Sequence, residues 1–244
     1  MLRDLLYALD PVLWARDKLG LQLDPVQAGL MTRRGSRELL NCTRQWGKST
    51  TTAAAVLHEC SYTPHSFVVL IAPTSRQSQL LLRTIQTFAK LAGSACEALP
   101  GADPGLQLAE GRVVALPGVE ESTRGFSAVT WLVVDEAARV LDPLYYSCRA
   151  YLATTNGRVW LLSTPFGKRG FFYEESSAGR FSVTLVPASG CARISRAFLA
   201  EQKLTLPGSW YAQEYECQFT SVDGGVFDHD LVLASISNEV GSLW

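Results

Sequence analysis

The feature that most constrains the fold of this 244-residue chain is the alternation of short apolar, β-branched runs with helix-like segments. The apolar runs predict buried strands at 67–72, 131–134, 158–163 and 181–186. Helix-like segments lie between and after them, at 48–60, 75–91, 143–153, 195–204 and 209–217. Because parallel strands are joined by helical crossovers, this order predicts an α/β fold with a mostly parallel central sheet covered by helices on both faces. The segment 105–118 instead predicts a hairpin inserted into the alternation.

The composition of the chain limits its function class. With 47% hydrophobic and 18% charged residues, the chain can bury one large core. No apolar run approaches the roughly 20 residues that span a bilayer, and Asp4, Asp10 and Asp17 interrupt the segment where a signal peptide would be apolar. We therefore expect a cytoplasmic protein. Since the formal net charge is −1, any nucleic acid would be bound by local basic patches.

The segment 39–56, LLNCTRQWGKSTTTAAAV, contains a candidate phosphate-binding loop between a short apolar run and a predicted helix. Backbone N–H groups there would bind the β- and γ-phosphates, Lys48 would neutralise them, and Ser49 would offer a hydroxyl to Mg²⁺. Cys42 replaces the usual first glycine, which is tolerable if its φ is negative. A chance Gly-Lys-Ser sequence at a helix start remains the alternative. The residues expected to bind the nucleotide are Thr43, Arg44, Gln45, Trp46, Gly47, Lys48, Ser49 and Thr50.

Two acids follow the apolar run of the segment 130–140, TWLVVDEAARV. This pattern predicts Asp135 and Glu136 at the carboxyl end of a strand, where α/β proteins bind their ligands. Asp135 would hold Mg²⁺ and Glu136 would activate the attacking water. An acidic helix cap is the alternative, but it accounts for only one of the two acids. Together with Lys48, the pair indicates a nucleotide hydrolase that uses general-base chemistry.

A third motif lies in the segment 159–174, VWLLSTPFGKRGFFYE. A buried strand ending at Ser163 and Thr164 would place two hydroxyls beside the phosphates, where they could sense the γ-phosphate and relay its loss. The alternative is an ordinary strand exit at Pro165.

In their order along the chain, six segments resemble the ATPase domain of the large terminase subunit, the DNA-packaging motor of tailed bacteriophages. They are LDPVQAGLM, CTRQWGKST, VVLIAPTSRQSQ, STRGFSAVTWLVVDEAA, LLSTPFGKRGFFYE and WYAQEYECQFTSVDGGVF. The resemblance covers residues 23–227. Members of the family tolerate a non-glycine residue at the first loop position and carry an arginine within the loop, which accounts for Cys42 and Arg44 together.

This resemblance implies a P-loop NTPase fold and roles for further residues. Gln27 would read the adenine edge, unless it is a surface glutamine at a helix start. Arg44 and Arg124 are candidates for an arginine finger that stabilises charge in the transition state, with a solvated loop residue as the alternative for Arg124. Thr164 matches the motif that couples hydrolysis to movement. The implied ligands are ATP and Mg²⁺.

The resemblance also implies the biological setting. The chain would drive double-stranded DNA into a procapsid, in the cytoplasm of a bacterial host. Its partners would be the DNA, a portal protein, the small terminase subunit and further copies of itself in a ring, which we expect to be pentameric.

The expected domain division is an ATPase domain at 1–220, which includes an N-terminal helical segment, and a linker or tail at 221–244. Large terminases continue into an RNase H-like nuclease domain, and we expect no nuclease activity from this chain. Three acids near the end are expected to be linker residues rather than a metal cluster: Asp223, Asp228 and Asp230.

Two other function classes remain open. A helicase-like DNA-dependent ATPase shares the strand order and the Asp-Glu acids, but it needs a second motor domain. A non-hydrolysing nucleotide-binding scaffold would have no need of the water-activating Glu136. DNA contact could involve the basic clusters at 32–38 and 167–170, although each is equally typical of a solvated loop.

Overall fold

An eight-stranded sheet organises the residues that the computed structural model describes, which are 2–33, 35–116 and 125–221. In chain order, the strands are β1 Arg37–Cys42, β2 Ser66–Ile71, β3 Cys96–Ala98, β4 Gly105–Leu108, β5 Gly111–Leu116, β6 Trp131–Asp135, β7 Arg158–Ser163 and β8 Ser182–Val186. Their spatial order is β3-β4-β5-β2-β6-β7-β1-β8. Neighbouring strands from β5 to β8 are parallel, and β3, β4 and β5 are antiparallel to one another.

Helices cover both faces of this sheet in the described part of the chain. They are α1 Leu2–Leu9, α2 Pro11–Leu19, α3 Pro25–Thr32, α4 Lys48–Tyr62, α5 Ser75–Ala92, α6 Asp142–Arg149, α7 Gly170–Ser177, α8 Arg196–Thr205 and α9 Gly208–Tyr215. None of them is long and apolar enough to cross a membrane. Successive strand residues enter different cores, since Leu40 packs with α2, α4 and α5 whereas Leu39 packs with α6 and α7.

The structure confirms the predicted α/β fold with a mostly parallel sheet. The predicted hairpin is β4 and β5, and β5 also pairs in parallel with β2, so the hairpin extends the main sheet. The helix expected at 143–153 is an α-helix to Arg149 and a 3-10 turn afterwards. Helix α7 lies within the third motif and was not predicted, because its buried Phe171 and Phe172 are adjacent in sequence and do not follow helical spacing.

The strand order brings the sequence motifs to one edge of the sheet. Strand β7 lies between β6 and β1, and all three strands are parallel. Their carboxyl ends are Asp135, Ser163 and Cys42. The acids, the paired hydroxyls and the candidate phosphate loop therefore leave three adjacent strands at the same edge, which is where α/β sheets bind ligands.

Candidate active site

The candidate phosphate loop turns sharply between β1 and α4. Cys42 is the last, fully buried residue of β1, and it is not among the described residues with a positive φ. The left-handed positions are Gln45, with φ of 63°, and Gly47, with φ of 100°. A Cβ atom on Gly47 would lie 2.6 Å from the guanidinium of Arg193. Glycine is therefore required at position 47 and is not required at position 42.

Lys48 is folded into the loop and is nearly buried. Its Nζ donates to the carbonyl oxygens of Cys42, at 2.7 Å, and Thr43, at 3.0 Å. Lys48 is also the first residue of α4, and the N-cap Gly47 provides no side-chain cap. The N–H groups of the first turn and an ammonium group thus lie at one helix N-terminus, an arrangement that favours an anion.

A buried tryptophan fixes the loop to the N-terminal helices. The Trp46 side chain is 1% exposed, and its indole N–H donates to Asp24 Oδ2 at 2.8 Å. The carbonyl oxygen of Trp46 accepts from Gln27 Nε2 and from Arg193, each at 2.8 Å. The loop conformation therefore depends on contacts with residues that are distant in sequence.

Gln27 lies next to the loop and uses both ends of its amide there. It is 1% exposed, its Nε2 donates to Trp46 O, and its Oε1 accepts from the backbone N–H of Asp24 at 3.1 Å. The latter bond belongs to a capping box in which Asp24 caps α3. Gln27 is thus a buried contact of the loop and not a surface residue, and adenine reading by its side chain stays a prediction.

We expect Trp46→Ala to lower the free energy of unfolding by about 3–5 kcal/mol, because it removes a large buried side chain and leaves Asp24 without its indole donor. Urea titration followed by circular dichroism would measure the change. Trp210, which is 53% exposed, offers a control of the same residue type, for which we expect less than about 1 kcal/mol. Equal losses in the two variants would contradict the proposed fixing of the loop.

The first acid faces the loop across the edge of the sheet. Ser49 Oγ donates to Asp135 Oδ2 at 3.2 Å, and Asp135 Oδ1 accepts from the backbone N–H of Glu136 at 3.0 Å. Burial, together with the neighbouring Glu136 carboxylate, raises the pKa of Asp135 to about 6. A cation at this position would offset both causes.

The second acid has an unusual backbone conformation. Glu136 has φ of 50° and ψ of 42°, in the left-handed region that residues with side chains rarely occupy. Its Oε2 accepts from the guanidinium of Arg139 at 3.3 Å, and about a quarter of its side chain is exposed. Strained backbone of this kind is concentrated at functional sites, so the conformation supports a functional role for Glu136.

A buried glutamate connects the loop arginine to the acid pair. Glu214, on α9, is 5% exposed, and its Oε2 accepts from Arg44 Nε at 2.6 Å. Its Oε1 lies 3.4 Å from the guanidinium of Arg139, which also stacks over the Phe166 ring at 4.6 Å. Glu214 thus holds Arg44 and Arg139 together, and Arg139 in turn contacts Glu136. We call Arg44, Glu136, Arg139 and Glu214 the arginine cluster.

Two hydroxyl groups at the end of β7 are buried without partners. Ser163 and Thr164 are at most 1% exposed, and within the described residues neither hydroxyl has a hydrogen-bond partner. Buried hydroxyls are nearly always hydrogen-bonded, so both groups are free to bond an incoming polar ligand. Since β7 lies between β1 and β6, they leave the sheet between the loop and the acids.

The structure brings most of the predicted site residues to one edge of the sheet. Gln45 and Arg44 are exposed on the loop, and Thr43 is buried and donates to the carbonyl oxygen of Glu214 at 3.1 Å. Thr50 lies partly buried in the first turn of α4. The predicted residues that lie outside the described ranges are Arg124 and the linker acids Asp223, Asp228 and Asp230.

Four residues of this site were not predicted from the sequence: Asp24, Arg139, Arg193 and Glu214. Two of them have local signals that could have found them. Asp24 and Gln27 have the spacing of a capping box, and Arg139 lies three residues after Glu136 beyond the strand. Glu214 and Arg193 contact the loop across 170 and 147 residues, and no local pattern reports such contacts.

The fold is similar to that of large terminase ATPase domains. The large terminase ATPase domain of Thermus phage P74-26 superposes with a TM-score of 0.74 at 20% sequence identity, over 87% of this chain and 100% of that domain. The HK97 bacteriophage large terminase gives a TM-score of 0.69 at 14% identity, over 87% of this chain and 55% of the HK97 protein. The large terminase of another thermophilic bacteriophage, in complex with ADP, gives 0.65 at 12% identity, over 87% of this chain and 53% of that protein.

The chain thus spans about half of the length of the HK97 protein and of the ADP-bound terminase. Its sequence matches no protein-family model and no curated protein. The chain has the fold of a large terminase ATPase domain, which confirms the fold that the sequence resemblance predicts. At these low identities, the likeness is one of fold.

Proposed function

We propose that this protein is an ATPase and the motor domain of a machine that moves double-stranded viral DNA into a procapsid. The observation that carries the proposal is the meeting of Lys48, Ser49, Asp135 and Glu136 at one edge of a parallel sheet, with Ser49 and Asp135 3.2 Å apart. The shared fold with large terminase ATPase domains, and the ADP bound in one of the similar terminase structures, support the choice of ATP as the substrate.

The loop residues would bind the triphosphate. N–H groups of the loop and of the first turn of α4 would donate to phosphate oxygens, and Lys48 would exchange its two carbonyl acceptors for them. Ser49 and Asp135 supply oxygen ligands, which suit Mg²⁺. Bound there, Mg²⁺ would neutralise negative charge on the phosphates.

Glu136 is the proposed general base for the attacking water. Its carboxylate is partly exposed at the edge of the sheet, and Arg139, at 3.3 Å, holds its orientation. Thr164 and Ser163 would bond the γ-phosphate through their unpartnered hydroxyls and register its loss. Because this edge also contains the arginine cluster, the loss of phosphate could be transmitted through Arg44 and Glu214 to α9.

Within this mechanism, Glu214 competes with the phosphates for Arg44. We expect Glu214→Gln, which keeps the size of the side chain and removes its charge, to tighten ATP binding about fivefold. That factor corresponds to roughly 1 kcal/mol for an ion pair whose arginine is more than half exposed. Calorimetry with ATP in the Glu136→Gln background, where turnover should be blocked, would measure the change.

The control separates release of Arg44 from a general loosening of α9. In the double variant Arg44→Ala with Glu214→Gln, we expect the gain in ATP affinity to disappear. Glu216, on the same helix end and without a described bond to the loop, offers Glu216→Gln as a matched change that should leave affinity unaltered. Weaker ATP binding in Glu214→Gln would contradict competition and would assign Glu214 a supporting role.

The proposed setting is a homo-oligomeric ring, expected to be pentameric, that docks on a portal protein and acts with a small terminase subunit in the host cytoplasm. Residues 1–220 would form the ATPase domain and 221–244 a linker. Of the two basic clusters, Arg33 donates to Thr184 at 3.2 Å, and Arg169 lies over the Phe166 ring at 5.0 Å. DNA contact by either cluster stays a prediction.

A steady-state ATPase assay tests the proposed function. It should include double-stranded DNA and a range of protein concentrations, because a motor that is completed by its neighbours is expected to be slow when dilute. Turnover that rises with concentration and with DNA would support the motor. ATP binding without turnover under any condition would instead favour a nucleotide-binding scaffold. Turnover that depends on DNA but not on protein concentration would favour a helicase-like ATPase.

A further inference from the structure

A cavity next to the phosphate loop has no assigned role. Its volume is about 390 Å³, within the usual size of ligand pockets. It lies between the exposed loop residue Gln45 and the start of α8, and its other lining residues are Arg193, Ile194, Ser195 and Phe198. Neither aspartate nor glutamate is among these residues of the described structure.

The wall of this cavity is continuous with the phosphate site. Arg193 donates to Trp46 O at 2.8 Å, the same oxygen that accepts from Gln27. A Cβ atom on Gly47 would lie 2.6 Å from Arg193 and 3.0 Å from Gln27 Nε2. Both side chains therefore touch the residue that precedes Lys48. A nucleotide with its phosphates at Lys48 has this cavity immediately beside it.

The cavity presents groups that bind a planar aromatic heterocycle. Phe198 is 43% exposed, and the Ser195 hydroxyl, which caps α8, accepts from its backbone N–H at 3.1 Å. Its ring meets the Tyr215 ring edge to face, with centroids 6.1 Å apart. Arg193 carries five N–H donors and uses one of them on Trp46 in the described structure. A ring to stack on and a planar cation with donors to spare suit a base whose ring nitrogens are acceptors.

We propose that this cavity is the purine subsite of the nucleotide, with the base stacked on Phe198 and its ring nitrogens bonded by Arg193. This inference rests on the proposed ATPase function and assigns base recognition to residues that the sequence resemblance did not indicate. Gln27, which the resemblance does indicate, has its amide oxygen bonded to Asp24 and its nitrogen to the loop. Its part is to position the loop against Arg193.

The test compares two probes, Mg·ATP and inorganic triphosphate with Mg²⁺, by calorimetry in the Glu136→Gln background. Triphosphate carries the phosphates without the base, so it reports on the loop alone. We expect Phe198→Ala to weaken ATP binding about tenfold, the usual effect of losing one base-stacking aromatic ring, and to leave triphosphate affinity unchanged. Phe198→Tyr should keep ATP affinity within about twofold of the parent, since it keeps a ring.

Tyr146, which is 51% exposed on α6, provides a control aromatic residue, and Tyr146→Ala should change neither affinity. An equal loss for ATP and triphosphate in Phe198→Ala would overturn the inference, because Phe198 would then act through the loop. Unchanged ATP affinity would also overturn it and place the base elsewhere, with Gln27 as the next candidate. A parent protein that binds neither probe would instead refute the proposed ATPase itself.

Discussion

Lys48→Ala is expected to abolish ATP binding, whereas Glu136→Gln is expected to preserve binding and stop hydrolysis. Lys48 lies at the N-terminus of α4, where it would meet phosphate charge already present in the bound substrate. The Glu136 carboxylate would act chiefly on the water in the transition state, so its loss should lower kcat by a factor of about 10²–10⁴ with little change in ATP affinity.

Calorimetry measures the binding half of this prediction, and phosphate release measures the turnover half. Since the Lys48 ammonium also bonds Cys42 O and Thr43 O, each variant needs a thermal melt to show that it is folded. The exposed Lys90, in the last turn of α5, provides a control lysine, and Lys90→Ala should bind and hydrolyse ATP normally. Equal ATP affinity in the wild type and in a folded Lys48→Ala variant would refute the assignment of the loop.

Arg124→Ala is expected to reduce turnover by a factor of about 10³–10⁵, the usual contribution of an arginine finger. Arg124 lies outside the described residues, and its proposed role follows from the sequence resemblance and from what the structure gives Arg44. Arg44 belongs to the phosphate loop and is bonded to Glu214 of the same chain, which suits an action within its own subunit. We therefore propose that Arg124 acts across the interface on the neighbouring subunit.

Mixing two inactive variants tests this assignment. In a ring that combines Arg124→Ala and Glu136→Gln chains, some interfaces pair an intact arginine with an intact acid, so some turnover should return. Activity of the wild type per chain should also rise with protein concentration. If the mixture stays inactive while both variants assemble, Arg124 does not act in trans and the finger role passes to Arg44.

The alternation of strands and helices could be predicted from the sequence because each buried strand is a continuous apolar run. Strands β2, β6, β7 and β8 lie within one residue of their predicted bounds at each end. The three-residue strand β3 has too short a pattern to be found. The spatial order that inserts β7 between β6 and β1 is a property of the whole sheet, and no local segment contains it.

The candidate site divides in the same way. Residues that immediately follow strands, such as Lys48, Asp135 and Thr164, could be located because the strand that precedes them fixes their place. Their partners could not, since Glu214 reaches Arg44 only through the packing of α9 on the loop. The exposed, polar segment around Arg193 and Phe198 has no pattern that distinguishes it from any other connection to a helix. Its position beside Gly47 is visible only in three dimensions.

The left-handed backbone at Glu136 sets folding and chemistry against each other at one position. Its φ of 50° costs roughly 1 kcal/mol or more for a glutamate, and glycine or asparagine would occupy that conformation more easily. Under selection for thermal stability alone, replacements of Glu136 would therefore accumulate, although each removes the water-activating carboxylate. Under selection for turnover, the glutamate would return. A stable but silent chain is the expected product of the first regime, so thermostability screens of this fold need an activity criterion at position 136.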